Sequence, residues 1–60
     1  MKMYLWRVEY DGVGALRFTR EKYVVTSDKL PSEAEKIFMR DPDEGFDYIH
    51  KIEFEREVIS

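Results

Sequence analysis

Alternating apolar and polar residues mark the first segment of the chain as a β-strand. The even positions of this segment carry large apolar side chains, namely Tyr4, Trp6, Val8 and Tyr10. The odd positions include Arg7 and Glu9. A period of two with one apolar side indicates a strand that has one buried face and one hydrated face. We therefore predict that Met3–Tyr10 is the central strand of a small sheet.

A hairpin is predicted after this strand, because Asp11 is followed by two glycines in the stretch 11–14. Directly opposed residues of an antiparallel pair share a face. Leu16 and Phe18 should therefore oppose even positions of the stretch 6–10. That pairing requires a connecting loop with an odd number of residues.

The second strand, predicted over about residues 15–26, changes phase along its length. Its apolar residues begin at even positions and end at the odd positions Tyr23 and Val25. A β-bulge in the stretch 19–22 would reset the facing, and a turn there would divide the segment into two strands. We favour one long bent strand, because no Gly, Pro or Asn marks a turn.

A short helix of about ten residues is predicted next. An apolar stripe at helical spacing is formed by Leu30, Ala34, Ile37 and Phe38. Pro31 suits the first turn of a helix, whereas Ser32 and Glu35 match a capping box, so the start lies on either side of the proline. The helix should end at Asp41, because Pro42 disfavours helical geometry in the residue before it.

The last strand is predicted from about Tyr48 to Ile59. One of its faces would carry Tyr48, His50, Ile52, Phe54, Arg56 and Val58. The other face would carry Ile49, Lys51, Glu53, Glu55, Glu57 and Ile59. The order β-β-α-β predicts an α+β fold, a two-layer sandwich with a three-stranded, mainly antiparallel sheet of order 2-1-3 and one helix packed on one face. Residues 1–60 would form a single small domain.

Composition narrows how so small a domain can be stabilised. The chain has 60 residues, no Cys and one His, which excludes disulfides and zinc sites built from thiolates or several histidines. A dense core or self-association remains. No cofactor or metal is expected. The absence of a secretory pattern and of a long apolar run predicts a cytoplasmic protein with no membrane partner.

Candidate catalytic chemistry is sparse. His50 is expected to be structural, because its neighbours in sequence form no catalytic pattern. An acidic loop could bind a hard cation through Asp41, Asp43, Glu44 and Asp47, but its spacing departs from the EF-hand and favours a solvated turn. No nucleophile or phosphate-binding motif occurs, so the chain is not expected to be an enzyme.

Nucleic-acid binding is the alternative function. The net charge of −3 provides no overall attraction for phosphates, although the N-terminal half is basic. The candidate phosphate contacts there are Arg7, Arg17, Arg20 and Lys22. The candidate stacking residues are Tyr4, Trp6, Phe18 and Tyr48. We expect the helix to cover that aromatic face instead.

The leading prediction is a small non-catalytic protein-binding module, acting as an adaptor, regulator or inhibitor of a larger protein. Its size would also suit a virus-encoded inhibitor of a host enzyme. The predicted contact residues on the face away from the helix are Leu5, Val24, Ile49, Glu53, Glu55 and Glu57. A homodimer is a further expectation, with basic residues of one copy facing the acidic row 53–57 of the other.

Overall fold

The computed structural model describes residues 1–12 and 18–59. Its elements in chain order are β1 (Lys2–Gly12), β2 (Phe18–Thr26), α1 (Pro31–Arg40) and β3 (Phe46–Ile59). The strands form one antiparallel sheet of order β2-β1-β3, and α1 packs on one of its faces. The predicted α+β fold, its strand order and its single helical layer are confirmed. In the described part of the chain, no helix has the length and apolar character needed to cross a membrane.

The core lies between α1 and the face of the sheet that carries the even residues of β1. Its most buried apolar side chains, each at most 6% exposed, are Trp6, Val8, Tyr10, Val24, Ala34 and Phe38. Aromatic rings provide much of the contact: the centroids of Tyr10 and Phe38 are 5.1 Å apart, and those of Phe38 and Phe46 are 5.2 Å apart. Large aromatic side chains bury much apolar area per residue, so a short chain can still build a core.

The helix begins at the proline. Leu30 is the N-cap and makes no side-chain capping hydrogen bond, so Pro31 occupies the first turn and the alternative capping box is not formed. The helix ends as predicted before Pro42, where the backbone N–H of Asp41 donates to the carbonyl oxygen of Phe38 at 3.3 Å. The predicted apolar stripe is buried at its centre, whereas Leu30 is half-exposed.

The second strand has no phase change within the described residues. β2 pairs with β1 in one unbroken register that runs from Tyr4↔Thr26 to Gly12↔Phe18. The predicted bulge in the stretch 19–22 is wrong, and Phe18 opposes Gly12 rather than a residue of the stretch 6–10. The predictions for Leu16 and for a strand start near residue 15 lie outside the described residues.

The facing of Val24 is therefore the reverse of the prediction. Val24 pairs with Trp6 and is buried in the core beneath the helix. Its neighbours Tyr23 and Val25 are exposed on the opposite face of the sheet. Three consecutive apolar residues at the end of β2 concealed which of them faces inward.

The third strand contains three register shifts against β1. At each shift one residue of β3 has no counterpart on β1, and these extra residues are Asp47, His50 and Glu55. An extra residue reverses the facing of everything beyond it. The predicted outward orientation of Ile49 is consequently wrong, because Ile49 opposes Tyr10 and packs against the core. Phe46 also packs there, opposite Gly12.

The same shifts redistribute the rest of β3. Ile52 and Phe54 face the helix as predicted. Tyr48, Arg56 and Val58 instead oppose odd positions of β1 and lie on the far face. Two residues predicted for the far face lie opposite even positions of β1, namely Glu57 and Ile59. A strict period of two over the whole strand is therefore not observed.

Candidate functional site

The face of the sheet opposite α1, which we call the outer face, carries the odd residues of β1 and their partners on both neighbouring strands. Within the described residues the single helix packs on the other side. One end of the outer face is apolar and consists of Met3, Leu5, Tyr23, Val25 and Val58. We call this set the outer apolar patch. Tyr23 is 53% exposed and Val25 is 42% exposed, while the other three are half-buried.

Cross-strand pairing assembles this patch from residues that are distant in sequence. Leu5 on the central strand opposes Val25 on one side, and Met3 opposes Val58 on the other. Leu5 also opposes Arg56, which lies exposed at the rim of the patch. The patch is therefore an apolar area on the surface of the sheet, bordered by a positive charge.

The middle of the outer face is a network of ion pairs. Arg7 donates a hydrogen bond to Glu53, and its Nε lies 3.5 Å from a carboxylate oxygen of Glu55. Lys51 continues the network, with its Nζ 3.5 Å from Glu9 and 3.4 Å from Glu53. Opposite charges on neighbouring strands of one face attract each other in this way. Glu9, Glu53 and Glu55 thus have basic partners within the chain.

These contacts shift two pKa values. The hydrogen bond from Arg7 lowers the pKa of Glu53, against an opposing effect of burial, and the nearby Lys51 lowers it further. The same hydrogen bond raises the pKa of Arg7 above its ordinary value. Both groups therefore remain charged over a wider pH range than they would in an unfolded chain.

The predicted acidic row does not form a single surface. Glu53 and Glu55 both contact Arg7 on the outer face. Glu57 instead opposes Tyr4, an even position of β1, because the extra residue in β3 lies between them. Of the three apolar contact residues predicted from the sequence, Leu5 is on the outer face, whereas Val24 and Ile49 belong to the core.

Four residues of the outer apolar patch were missed by sequence reasoning: Met3, Tyr23, Val25 and Val58. An unbroken alternation from Phe18 to Val24 would have placed Tyr23 and Val25 outward without any bulge. That signal was present, but the clustering of apolar residues at 23–25 permitted either phase. No residue type marked the extra residues of β3, so the outward position of Val58 had no comparable signal.

The far end of the sheet holds a polar cluster around Asp11. His50 Nε2 lies 2.8 Å from a carboxylate oxygen of Asp11, and the Thr19 hydroxyl donates to the same oxygen at 3.0 Å. Burial alone would raise the pKa of Asp11, but hydrogen bonds from His50, Thr19 and Tyr48 outweigh it and lower the pKa. All three strands thus contribute to this cluster, β1 and β2 with one residue each and β3 with two. The Thr19 hydroxyl is directed to Asp11 rather than to the imidazole, which is not the arrangement of an activated nucleophile.

The acidic loop after α1 is held against the sheet by hydrogen bonds from β1 and β2. The buried Tyr10 donates its hydroxyl hydrogen bond to Asp43, and Lys22 Nζ lies 3.4 Å from Asp43 and 3.1 Å from the carbonyl oxygen of Asp41. These contacts lower the pKa of Asp43, chiefly through Tyr10, while burial and the carboxylate raise the pKa of Tyr10. The ammonium group of Lys22 therefore lies beside the oxygen atoms of Asp41 and Asp43 that a bound metal cation would use. Among the described residues, no group of three or more His, Cys, Asp or Glu side chains could hold a metal ion.

The candidate nucleic-acid residues are divided between two faces. Arg7 is engaged on the outer face, whereas Arg20 and Lys22 oppose Tyr10 and Val8 on the helix side. Arg17 lies outside the described residues. The proposed stacking residues are divided as well, because Trp6 is buried beneath the helix and Tyr48 lies on the outer face. The described residues therefore do not form one basic or aromatic surface.

No pocket is present within residues 1–12 and 18–59. Comparisons of the chain with protein families, curated proteins and solved structures found no match.

Proposed function

We propose that the chain is a small non-catalytic protein-binding module that contacts its partner through the outer apolar patch. The observation that carries the proposal is the exposure of Tyr23 and Val25 beside Leu5 on a face that α1 does not cover. Covering an apolar side chain of this size contributes about 1.5–3 kcal/mol when it becomes fully buried. Contiguous apolar surface on a small domain is typical of a site for another macromolecule.

The shape of the patch favours a protein over a small ligand. The patch lies on the pleated surface of a sheet, whereas small molecules are usually held in concave sites. Its neighbour Arg56 is exposed at the rim. A matching partner would place aliphatic or aromatic residues on the outer apolar patch and a carboxylate beside Arg56. The charge pair at the rim would guide the orientation of the partner.

An adaptor, a regulator and an inhibitor of a larger protein would all use such a surface. Each holds a partner by contact and needs no reacting group of its own. The proposal includes the cytoplasmic location expected from the sequence, and a virus-encoded inhibitor is one form that it could take.

A charge introduced into the patch tests the proposal. Leu5→Lys places a lysine at the centre of the patch, and Met39→Lys is the matched control at an exposed position of α1. Each tagged variant is used to capture proteins from the cells that produce the chain, followed by quantitative mass spectrometry. We expect a partner that the wild type and Met39→Lys retain and that Leu5→Lys loses by about tenfold or more.

Circular dichroism of each variant first establishes that the fold is intact. The proposal fails if the folded Leu5→Lys variant retains every captured protein as well as Met39→Lys does. Equal retention would show that the outer apolar patch is not the binding surface.

A further inference from the structure

The two edge strands of the sheet offer different surfaces to another chain. The extra residues of β3 interrupt its register, so no regular stretch is longer than Lys51–Phe54 or Arg56–Ile59. β2 is paired without interruption over Phe18–Thr26. An exposed regular edge presents a row of backbone N–H and C=O groups that can pair with another strand, whereas bulges disrupt such a row. β2 is therefore the edge suited to strand addition.

We propose that β2 pairs antiparallel with β2 of a second copy of the chain, about a two-fold axis at Val24. The two three-stranded sheets would join into one sheet of six strands. This inference goes beyond the proposed function, because the interface is the backbone edge of β2. Tyr23 and Val25 would contact the second copy, whereas the other members of each outer apolar patch, Met3, Leu5 and Val58, lie on the other two strands and stay available. A self-complementary edge serves both subunits of such a dimer equally.

Charge decides the register of this pairing. An axis at Lys22 would place that lysine opposite its own copy, and an axis at Glu21 would do the same for the glutamate. Like charges that are directly opposed in a sheet destabilise the pairing. The charged half of β2 therefore cannot lie at the centre of a symmetric pair.

An axis at Val24 avoids these conflicts. Tyr23 then opposes Val25 of the partner subunit, and Lys22 opposes Thr26 of the partner subunit. Aromatic and β-branched residues are favourable cross-strand partners. Both Tyr23 and Val25 are exposed in the single chain, so this pair would remove apolar surface from water in each half of the dimer.

The same register brings opposite charges together beyond the paired segment. Arg20 lies on the helix side opposite Tyr10, and the antiparallel arrangement brings this end of β2 close to the bend at 27–29 of the second copy, which carries Asp28. The loop that carries Asp28 is held in position, because the Thr26 hydroxyl donates to the Asp28 carbonyl oxygen at 2.6 Å. The two-fold axis makes this contact twice, which favours a second copy over an unrelated strand.

Charge exchange at the edge tests the proposal. Sedimentation equilibrium should show dimers of the wild type at high micromolar concentration. The double variants Tyr23→Lys/Val25→Lys and Tyr23→Glu/Val25→Glu should each be monomeric, because like charges would oppose one another across the axis. An equimolar mixture of the two should associate at least about tenfold more tightly than either alone, since every introduced lysine then opposes an introduced glutamate.

Leu5→Lys separates this inference from the proposed function. Leu5 lies on the central strand, so the variant should remain dimeric while it loses the captured partner. A wild type that is monomeric at high micromolar concentration, or a mixture that does not associate, overturns the dimer. Neither result would change what we expect from the capture experiment. A failure of the capture experiment would likewise leave the dimer proposal standing.

Hydrogen exchange of the unmodified protein provides a second measurement. Amide protection within 22–26 should increase with protein concentration, because the outward N–H groups of β2 become paired in the dimer. The amides of β3 should show no such dependence. Protection that is independent of concentration in both strands would contradict the proposal, even if the charged variants failed to fold.

Discussion

The two faces of the sheet differ sharply although successive residues of β1 alternate between them. On the helix side, Trp6, Val8 and Tyr10 are almost completely buried among aromatic rings. On the outer face, Arg7 and Glu9 take part in ion pairs at half-buried positions. The inner face thus supplies the stability of the domain, and the outer face is available for contacts.

The physical chemistry of the two faces explains this division. Burial of apolar area from water contributes in proportion to the area covered, so the aromatic residues of the core have large effects. Ion pairs between partly exposed side chains contribute little, because water and salt screen them. Substitutions on the two faces should therefore differ strongly in their effect on the free energy of unfolding.

The largest effect is expected for Trp6→Ala. Trp6 is 3% exposed, and its Nε1 donates to the Thr26 hydroxyl at 2.8 Å. Loss of this side chain should lower the free energy of unfolding by about 3–5 kcal/mol, which approaches the whole stability of so small a domain. Urea denaturation followed by circular dichroism measures it, with Met39→Ala on the exposed side of α1 as the control. A Trp6→Ala variant that unfolds with the wild-type midpoint would contradict the assignment of Trp6 to the core.

An intermediate effect that depends on pH is expected for Asp43→Asn. The pKa of Asp43 is lowered in the folded protein. In acid, the unfolded chain therefore binds more protons at this residue than the folded chain does. The stability contributed by Asp43 is therefore present above the unfolded value of about 3.9 and is lost as the pH falls through the folded pKa.

Thermal melting between pH 7 and pH 2 checks this expectation. Asp43→Asn should melt below the wild type at neutral pH, and the two curves should converge in acid. Tyr10→Phe removes the main hydrogen bond to Asp43. It should likewise reduce the dependence of the melting temperature on pH. Part of the acid dependence should persist in both variants, since the pKa values of Asp11 and Glu53 are also lowered. Curves that stay parallel to the wild type would refute the assignment.

The smallest effect is expected for Arg7→Met. This change removes the contacts with Glu53 and Glu55 but keeps an apolar stem over the sheet. The Nε of Arg7 makes no hydrogen bond and has only an ion pair with Glu55 at 3.5 Å, so its removal loses little favourable interaction. The melting temperature at neutral pH should change far less than in Trp6→Ala. A comparable loss would show that the outer network stabilises the domain as strongly as the core.

Local patterns predicted the elements and their order well. The alternation over Met3–Tyr10 identified β1, and Pro42 marked the end of α1, because proline restricts backbone geometry within its own neighbourhood. Pro31 placed the helix start to within a few residues but left it open on either side of the proline. The fold class followed from the order of these elements, since a sheet with one apolar face needs a helix to cover it.

The candidate site was predicted only at Leu5, because facing in the outer strands is not a local property. Alternation assigns each residue to a face only while the register is unbroken, and one extra residue reverses it. In β3 the extra residue His50 lies between Ile49 and Ile52, and it moved Ile49 into the core although Ile52 faces inward as predicted.

The sequence by itself thus determined the identity of the strands, the position of the helix and the inner face of β1, where period and residue type agree over consecutive positions. The tertiary structure alone decided that Val24 lies inward and that Tyr23 and Val25 lie outward, through the pairing of β2 with β1. It also decided where β3 shifts its register. Those choices depend on contacts between residues distant in the chain, which compete for one small core, and no local pattern encodes that competition.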